Sequence, residues 1–170
     1  YVPGLPRTAP IQRQFLADLN QAASRSFIHA EATEFGDMSL VEVARGCSRG
    51  CRFCAAGYIY LPPRERGLDN LLEQVEAGLC ERDKIGLVAA AVADHAQIGS
   101  LQQGIQERGG AVSVSSLRLD ALAENEVTAL RDAGLRTAAI APEAGSQRLR
   151  DLCNKNLDEA QILHAVQLLA

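Results

Sequence analysis

The sequence predicts an α/β fold in which parallel strands alternate with crossover helices. Short apolar runs suited to buried strands recur between residues 40 and 141, and segments with helical periodicity lie between and after them. Strands and helices that alternate at this spacing favour a parallel sheet whose strands are joined by helices. An open doubly wound sheet and part of a (β/α) barrel both fit the pattern.

Four strands are predicted from apolar runs that end at polar residues or at proline. They cover Leu40–Ala44, Gly86–Ala93, Ala111–Val114 and Arg136–Ala141. The second run is apolar on both of its faces, which is typical of a strand inside a parallel sheet. Pro142 is expected to end the fourth strand.

Five helices are predicted from apolar residues that recur at helical spacing. They cover Leu68–Arg82, Ile98–Arg108, Glu124–Ala133, Ser146–Cys153 and Asp158–Ala170. Asp158 is suited to cap the last helix. Cys80 falls on the apolar face of the first helix, which predicts a buried thiol.

Residues 1–39 differ from the rest and are predicted to form an extended linker or N-terminal extension ahead of a domain at 40–170. Pro3, Pro6 and Pro10 favour an extended start. Residues 11–19 fit a helix or a strand. The chain begins with tyrosine rather than methionine, so we expect it to be a piece of a longer protein.

The composition narrows the class of protein. A net charge of -4 creates no overall field that attracts nucleic acid or an anionic membrane, and no apolar run reaches the ~20 residues of a membrane helix. Three of the five cysteines lie within one short segment, which suits a reducing compartment and a metal site better than a disulfide framework. We therefore expect a cytoplasmic protein that has no membrane partner.

The most informative segment is Cys47-Ser-Arg-Gly-Cys51-Arg-Phe-Cys54, directly after the first predicted strand. Three thiolates on one loop can bind three irons of a [4Fe-4S] cluster and leave the fourth iron open to a small molecule. Structural zinc would need a fourth protein ligand, and the other cysteines and histidines lie far along the chain. An iron–sulfur cluster is therefore favoured over zinc and over unliganded core thiols.

Arginines and glycines alternate with the three cysteines. Arg45, Arg49 and Arg52 are expected to lower the pKa values of the thiols and to offset the charge of a cluster. Gly46 and Gly50 allow the tight backbone turn that such a loop needs.

Polar residues follow each predicted strand. The carboxyl ends of parallel strands meet at one edge of a sheet or barrel. The residues at these ends are Cys47, Asp94 with His95, Ser115 with Ser116, and Glu143. We expect the four loops to form one site.

The cysteine motif, with an aromatic residue before its last cysteine, resembles the signature of the radical S-adenosylmethionine (radical SAM) superfamily. The longer string from Glu42 to Gly57 is similar to members that often follow a cobalamin-binding domain, and so are Pro63–Arg66 and Ala141–Ser146. The resemblance covers residues 35–170. It implies a partial (β/α) barrel with about four strand–helix units. Whole family barrels usually have about six, so a truncated catalytic core is expected.

The resemblance also implies cofactors. Cys47, Cys51 and Cys54 would hold a [4Fe-4S] cluster, whose open iron binds S-adenosylmethionine so that it can be cleaved to a 5′-deoxyadenosyl radical. Phe53 matches the position that lies beside the adenine in the family. Cobalamin would come from a domain outside this chain.

Further cosubstrate contacts are expected at the ends of the third and fourth strands. Glu143, with Arg148 or Arg150, would bind the ribose or the methionine group, and Ser115, Ser116 and Arg118 face the same edge. Each of these residues also has a structural interpretation. Glu143 could stabilise the next helix through its dipole, and the two arginines could form surface pairs. Ser115, Ser116 and Arg118 could be solvated loop residues.

The end of the second strand departs from the family pattern. Members often have Gly-Gly-Glu there, whereas this chain has an alanine-rich run before Asp94 and His95. Asp94 is interpreted first as a helix cap and His95 as a bystander.

Two functions fit the sequence. The first is a radical SAM enzyme core that modifies or methylates an unidentified substrate, with a flavodoxin or ferredoxin as reductant. The second is a non-catalytic iron–sulfur or zinc module for electron transfer or structure. Missing strands would leave an open barrel edge through which the chain could self-associate.

Overall fold

The computed structural model describes residues 12–114, 118–120, 122–124, 127–128, 131 and 138–170. Its centre is a parallel sheet of β1 (Ser39–Glu42), β4 (Lys84–Val88) and β5 (Ala111–Val114), in that order across the sheet. A separate antiparallel pair is formed by β2 (Ala44–Arg45) and β3 (Arg64–Glu65).

Helices lie between the strands and after the last of them. They are α1 (Ala56–Ile59), α2 (Leu68–Leu79), α3 (Ile98–Glu107), α4 (Gln147–Leu152) and α5 (Glu159–Leu169). The order β1, α2, β4, α3, β5 confirms the α/β class and the parallel sheet. Strands that follow one another in the chain are also neighbours in the sheet, and this occurs both in doubly wound folds and in barrels. The barrel therefore stays a prediction.

The main core lies where α2 and α3 pack against the sheet. Its buried apolar residues are Val41, Val43, Leu71, Val75, Ile85, Leu87, Val92, Leu101 and Ile105. At Gly78 of α2, an added Cβ would lie 2.7 Å from Ser39 Oγ. A residue without a side chain therefore lets α2 approach β1 closely.

The strand predicted at 86–93 ends early, at Val88. Val88 is opposite the last residue of β1, Glu42, and Leu87 is opposite the last residue of β5, Val114. Among the described residues, 89–93 have no strand beside them with which to pair, and the chain forms a 3-10 helix at Val92–Asp94. The first predicted strand is similarly divided, because Val43 separates β1 from β2.

The helices predicted at 68–82, 98–108, 146–153 and 158–170 are confirmed, with ends shifted by up to three residues. Ser146 caps α4 by accepting a hydrogen bond from the Leu149 N–H. Asp158 caps α5 in a reciprocal arrangement with Gln161. Within the described parts of the chain, no helix has the length and apolar character needed to cross a membrane.

Two predicted elements fall partly outside the described residues. Of the helix at 124–133, the described residues Glu124, Val127, Thr128 and Arg131 are helical. Of the strand at 136–141, the first two residues lie outside the description and Ala138–Ala141 form no strand. Ile140 instead packs against a second apolar cluster of Leu119, Leu122, Leu157 and Ala165, so the strand prediction is wrong for the described part.

Residues 24–26 cover the outer edge of β1. The Ser26 N–H donates to Leu40 O at 2.9 Å, and the Glu42 N–H donates to Ser24 O at 3.0 Å, with an antiparallel bridge between Arg25 and Val41. Backbone groups that would otherwise stand open at this edge are thus paired. The division of the chain at residue 39 stays a prediction.

Arg66 joins this N-terminal segment to the sheet. Its side chain is 2% exposed and donates to Leu19 O, to Ala22 O and, at 3.3 Å, to Glu42 Oε2. Burial alone would raise the pKa of Glu42, but its hydrogen bonds with Arg45 and Arg66 hold that pKa below its ordinary value.

Arg66→Met is expected to lower the free energy of unfolding by about 3 kcal/mol, because buried carbonyl groups and Glu42 lose their donor. Urea unfolding followed by circular dichroism measures this change. Arg108→Met is the matched control, since Arg108 pairs with Glu76 at the surface and should cost less than about 1 kcal/mol. Equal losses in the two variants would contradict the role assigned to Arg66.

Candidate functional site

The cysteine loop begins directly after β2 and is folded by two glycines. Gly46 has φ of 89° and Gly50 has φ of 65°, which is the left-handed region that glycine enters without strain. A Cβ on Gly46 would lie 2.5 Å from Tyr60 O. The expected role of both glycines in a tight turn is thereby confirmed.

The loop presents three free thiols, Cys47, Cys51 and Cys54, each partly buried. Burial raises the pKa of Cys51, and charge on Cys47 or on Cys54 raises it further. Among the described residues, no three His, Cys, Asp or Glu side chains are gathered so as to hold one metal ion. Zinc needs its ligands around a single centre, whereas each thiolate of a [4Fe-4S] site binds a different iron. Three thiols on one loop are, by their chemistry, ligands that an iron–sulfur cluster can use.

The expectation that the neighbouring arginines lower the thiol pKa values is wrong for Cys51. Burial is the main influence and raises the pKa of Cys51, and the cation that opposes it is Lys155. Arg45 donates instead to Glu42 at 2.8 and 2.7 Å. Arg52 donates to the carbonyl of Leu152.

Arg49 is bound by carboxylates from two other loops. Its Nε and Nη2 each lie 2.7 Å from an oxygen of Asp94, and its Nη1 lies 3.5 Å from Asp120. Arg118 donates to the same two carboxylates. Burial alone would lower the pKa of Arg49, but Asp94 and Asp120 raise it. The Arg49–Asp94–Arg118–Asp120 network therefore ties the cysteine loop to the residues that follow β4 and β5.

The interpretation of Asp94 as a helix cap is wrong. The residue at the N-cap of α3 is Gln97, and it makes no side-chain capping bond. Asp94 is used by the two arginines because both guanidinium groups are partly buried, and a paired carboxylate lowers the cost of burying them.

An open cavity of about 540 Å³ lies beside the cysteine loop. Its lining consists of Ser48, Arg49, Ala93, Asp94, Arg118 and Asn156. Loops after β2, β4 and β5 thus meet at one edge, as expected from a parallel sheet. Patterns in the sequence pointed to Arg49, Asp94 and Arg118 but not to Asp120 and Asn156, for which no spacing or motif gave a signal.

His95 is buried and is used in the scaffold. Its Nε2 lies 2.9 Å from Arg66 O, and its Nδ1 accepts a hydrogen bond from the Gln97 N–H at 3.1 Å. These two partners fix the ring, with the proton on Nε2. This arrangement supports the interpretation of His95 as a residue outside the chemistry.

Glu143 and Phe53 come together through Lys155. Glu143 has φ of 66°, and its Oε1 accepts a hydrogen bond from Lys155 Nζ at 2.9 Å. The same ammonium lies 5.9 Å from the centre of the Phe53 ring, and Phe53 is 53% exposed. Glu143 is thus placed beside the cysteine loop by an ion pair.

The two arginines of α4 differ in their surroundings. Arg150 is buried and donates to Leu157 O, Ala144 O and Gln147 Oε1 at 2.8–3.0 Å, so its donors serve the fold. Arg148 is exposed and has no polar partner among the residues described. Ser115 and Ser116 lie outside the described residues.

The two remaining cysteines differ in their surroundings. Cys80 is exposed and forms the C-cap of α2, so the prediction of a buried thiol is wrong, because the helix leaves the core at this residue. Cys153 is partly buried, and its carbonyl accepts a hydrogen bond from the Arg52 N–H at 3.0 Å.

Comparison with known proteins identifies the family. The family model of the radical SAM superfamily matches residues 41–170. A protein of Methanocaldococcus jannaschii, itself described as uncharacterized, is 40% identical over 141 residues, which are 82% of this chain and 31% of that relative. This chain thus spans less than a third of the length of the curated relative. Members of the family are generally enzymes, and the family implies a [4Fe-4S] cluster and S-adenosylmethionine. The chain belongs to the radical SAM superfamily.

Proposed function

We propose that this chain is the catalytic core of a radical SAM enzyme. Cys47, Cys51 and Cys54 would hold a [4Fe-4S] cluster, and S-adenosylmethionine would bind in the adjoining cavity. The observation that supports this most is that three free thiols belong to one glycine-folded loop, and that Ser48 and Arg49 of the same loop line a polar cavity. When bound, the cluster supplies the electron that cleaves S-adenosylmethionine to methionine and a 5′-deoxyadenosyl radical.

Residues around the cavity offer both signs of charge to a zwitterionic cosubstrate. Arg49 and Arg118 present guanidinium groups that suit a carboxylate, and Asp94 presents a carboxylate that suits an amine. Because these groups are already paired with one another, they are held in place before a ligand arrives. Such preorganisation lowers the cost of ordering the site on binding.

An aromatic and an acidic group meet at Lys155, beside the cysteine loop. The half-exposed ring of Phe53 offers a flat face to the adenine, and Glu143 is held nearby by Lys155. Arg148 and Ser115 stay proposed contacts to the methionine group and the ribose.

The whole protein's substrate, reductant and further domains are proposals, since this chain spans 31% of its curated relative. We propose a flavodoxin or ferredoxin as reductant and a cobalamin-binding domain elsewhere in the parent protein. Self-association is proposed at β5, which has no further strand beside it among the described residues.

The test is anaerobic reconstitution with iron and sulfide, followed by electron paramagnetic resonance of the reduced protein. We expect a [4Fe-4S] signal that changes when S-adenosylmethionine is added. When a strong reductant is also supplied, we expect 5′-deoxyadenosine to be formed. Elemental analysis that finds stoichiometric zinc, with a spectrum that S-adenosylmethionine leaves unchanged, would instead support a structural metal module.

A further inference from the structure

The segment after α4 contacts the cysteine loop, although its sequence carries no recognised motif. The helix ends with two hydrogen bonds, from the Asn154 N–H to Asp151 O and from the Lys155 N–H to Arg150 O, both at 3.0 Å. Asn154 has φ of 54°, as a left-handed residue at a helix C-terminus does, and asparagine tolerates this conformation. The chain is thereby reversed at Asn154 and Lys155.

Cys153 and Asn154 supply hydrogen-bond partners to the backbone between Cys47 and Cys54. Asn154 Nδ2 donates to Gly50 O at 2.9 Å and to Arg49 O at 3.3 Å. The Arg52 N–H donates to Cys153 O at 3.0 Å. The loop backbone is therefore held by contacts that need no metal.

Lys155 directly follows Asn154 in the chain and lies beside the cysteine loop. Its Nζ is held between Glu143 Oε1, at 2.9 Å, and the Phe53 ring, at 5.9 Å from the centre. The side chain of Lys155 is 24% exposed. The ammonium is therefore held close to the cysteine loop and partly shielded from water.

We propose that Asn154 and Lys155 are positioning residues for the cluster. The Asn154 amide fixes the shape of the cysteine loop before a cluster is bound, and the Lys155 charge raises the reduction potential of the cluster once it is bound. The second half of this proposal rests on the proposed function, because it requires a cluster at the three cysteines.

The effect of Lys155 follows from charge. A cluster that accepts one electron gains one negative charge, and a nearby cation stabilises the reduced form more than the oxidised form. Solvent and the Glu143 carboxylate weaken this effect. We expect removal of the ammonium to lower the equilibrium constant for one-electron reduction about tenfold, which corresponds to about 59 mV.

The charge is tested with Lys155→Gln and the control Lys155→Arg, by anaerobic redox titration of the reconstituted protein followed by electron paramagnetic resonance. Lys155→Gln should lower the midpoint potential by about 59 mV, and Lys155→Arg should stay near the native value. The double variant Lys155→Gln with Glu143→Gln should also have a midpoint potential below that of the native protein. A native potential in Lys155→Gln, or in the double variant, would overturn the assignment.

The amide is tested without any cluster, by hydrogen–deuterium exchange of the cluster-free chain. Asn154→Gly removes the amide and still permits the left-handed backbone. Its exchange at residues 49–54 should be about tenfold faster, with the sheet unchanged. Asn156→Gly is the matched control, since Asn156 has φ of 51° and makes no hydrogen bond to the cysteine loop among the described residues. Unchanged exchange in Asn154→Gly, or equally fast exchange in the control, would overturn the role of Asn154.

These results also separate the inference from the proposed function. A native chain that takes up zinc and no iron–sulfur cluster overturns the proposed function and the charge effect with it. A native chain that binds a cluster whose potential is the same in Lys155→Gln overturns only the inference about Lys155.

Discussion

Replacing Cys51 by alanine is expected to abolish the visible absorbance of the reconstituted protein and to reduce its bound iron and sulfide to near background. The cluster would have only two protein thiolates left, and a cubane held at two corners is readily lost to solvent and chelators. Iron and acid-labile sulfide analysis measures the loss. We expect the same result from Cys47→Ala and Cys54→Ala, because all three belong to one loop.

Cys80→Ala is the matched control for the cysteine variants. Cys80 is exposed at the end of α2, so its replacement should leave iron content unchanged. Cys153→Ala tests whether a fourth cysteine closes the cluster, and retention of iron is expected. Native iron content in Cys51→Ala would contradict the assignment of the three cysteines.

Gly46→Ala is expected to lower the free energy of unfolding by about 3 kcal/mol, since positive φ costs about 1–3 kcal/mol outside glycine and the clash adds to it. The added methyl group would meet Tyr60 O at 2.5 Å, and a backbone carbonyl cannot move aside without displacing the chain at 60–63. Urea unfolding measures the stability, and iron analysis after reconstitution should show that the displaced loop takes up less cluster.

Gly109→Ala separates the cost of a positive φ from the cost of the clash with Tyr60 O. Gly109 also has positive φ, 77°, but an added Cβ would have no atom within 4 Å. It should therefore cost only about 1 kcal/mol, the conformational part, and leave iron uptake unchanged. Equal losses of stability in the two variants would show that the contact with Tyr60 contributes nothing.

Local patterns were sufficient for the elements whose hydrogen bonds are local or whose apolar spacing is regular. The helices α2, α3, α4 and α5 were predicted from periodicity and capping residues, and β5 was predicted with its observed bounds. Helix α1 and the short ribbon of β2 and β3 were missed, because elements of two to four residues carry too little periodicity to be recognised.

The site was predicted less completely than the fold, for a physical reason. The arginines of the cysteine loop are bound by partners that spacing does not reveal. Arg49 pairs with Asp94, 45 residues away, and Asn154 contacts Gly50 across 104 residues. Only the packing of loops at the sheet edge decides which carboxylate or amide reaches which partner.

The chemistry offered by the cysteine loop follows from the order of its residues, because three thiols and two glycines close together define a ligand set before any folding. The order of residues also determined the alternation of strand and helix, which depends on local side-chain periodicity. Two contacts follow only from the folded chain. The cation that opposes the raised pKa of Cys51 is Lys155 rather than a neighbouring arginine, and the side chain of Asn154 binds the loop backbone at Gly50. Electrostatic influence depends on distance in space and on burial, and neither follows from proximity along the chain.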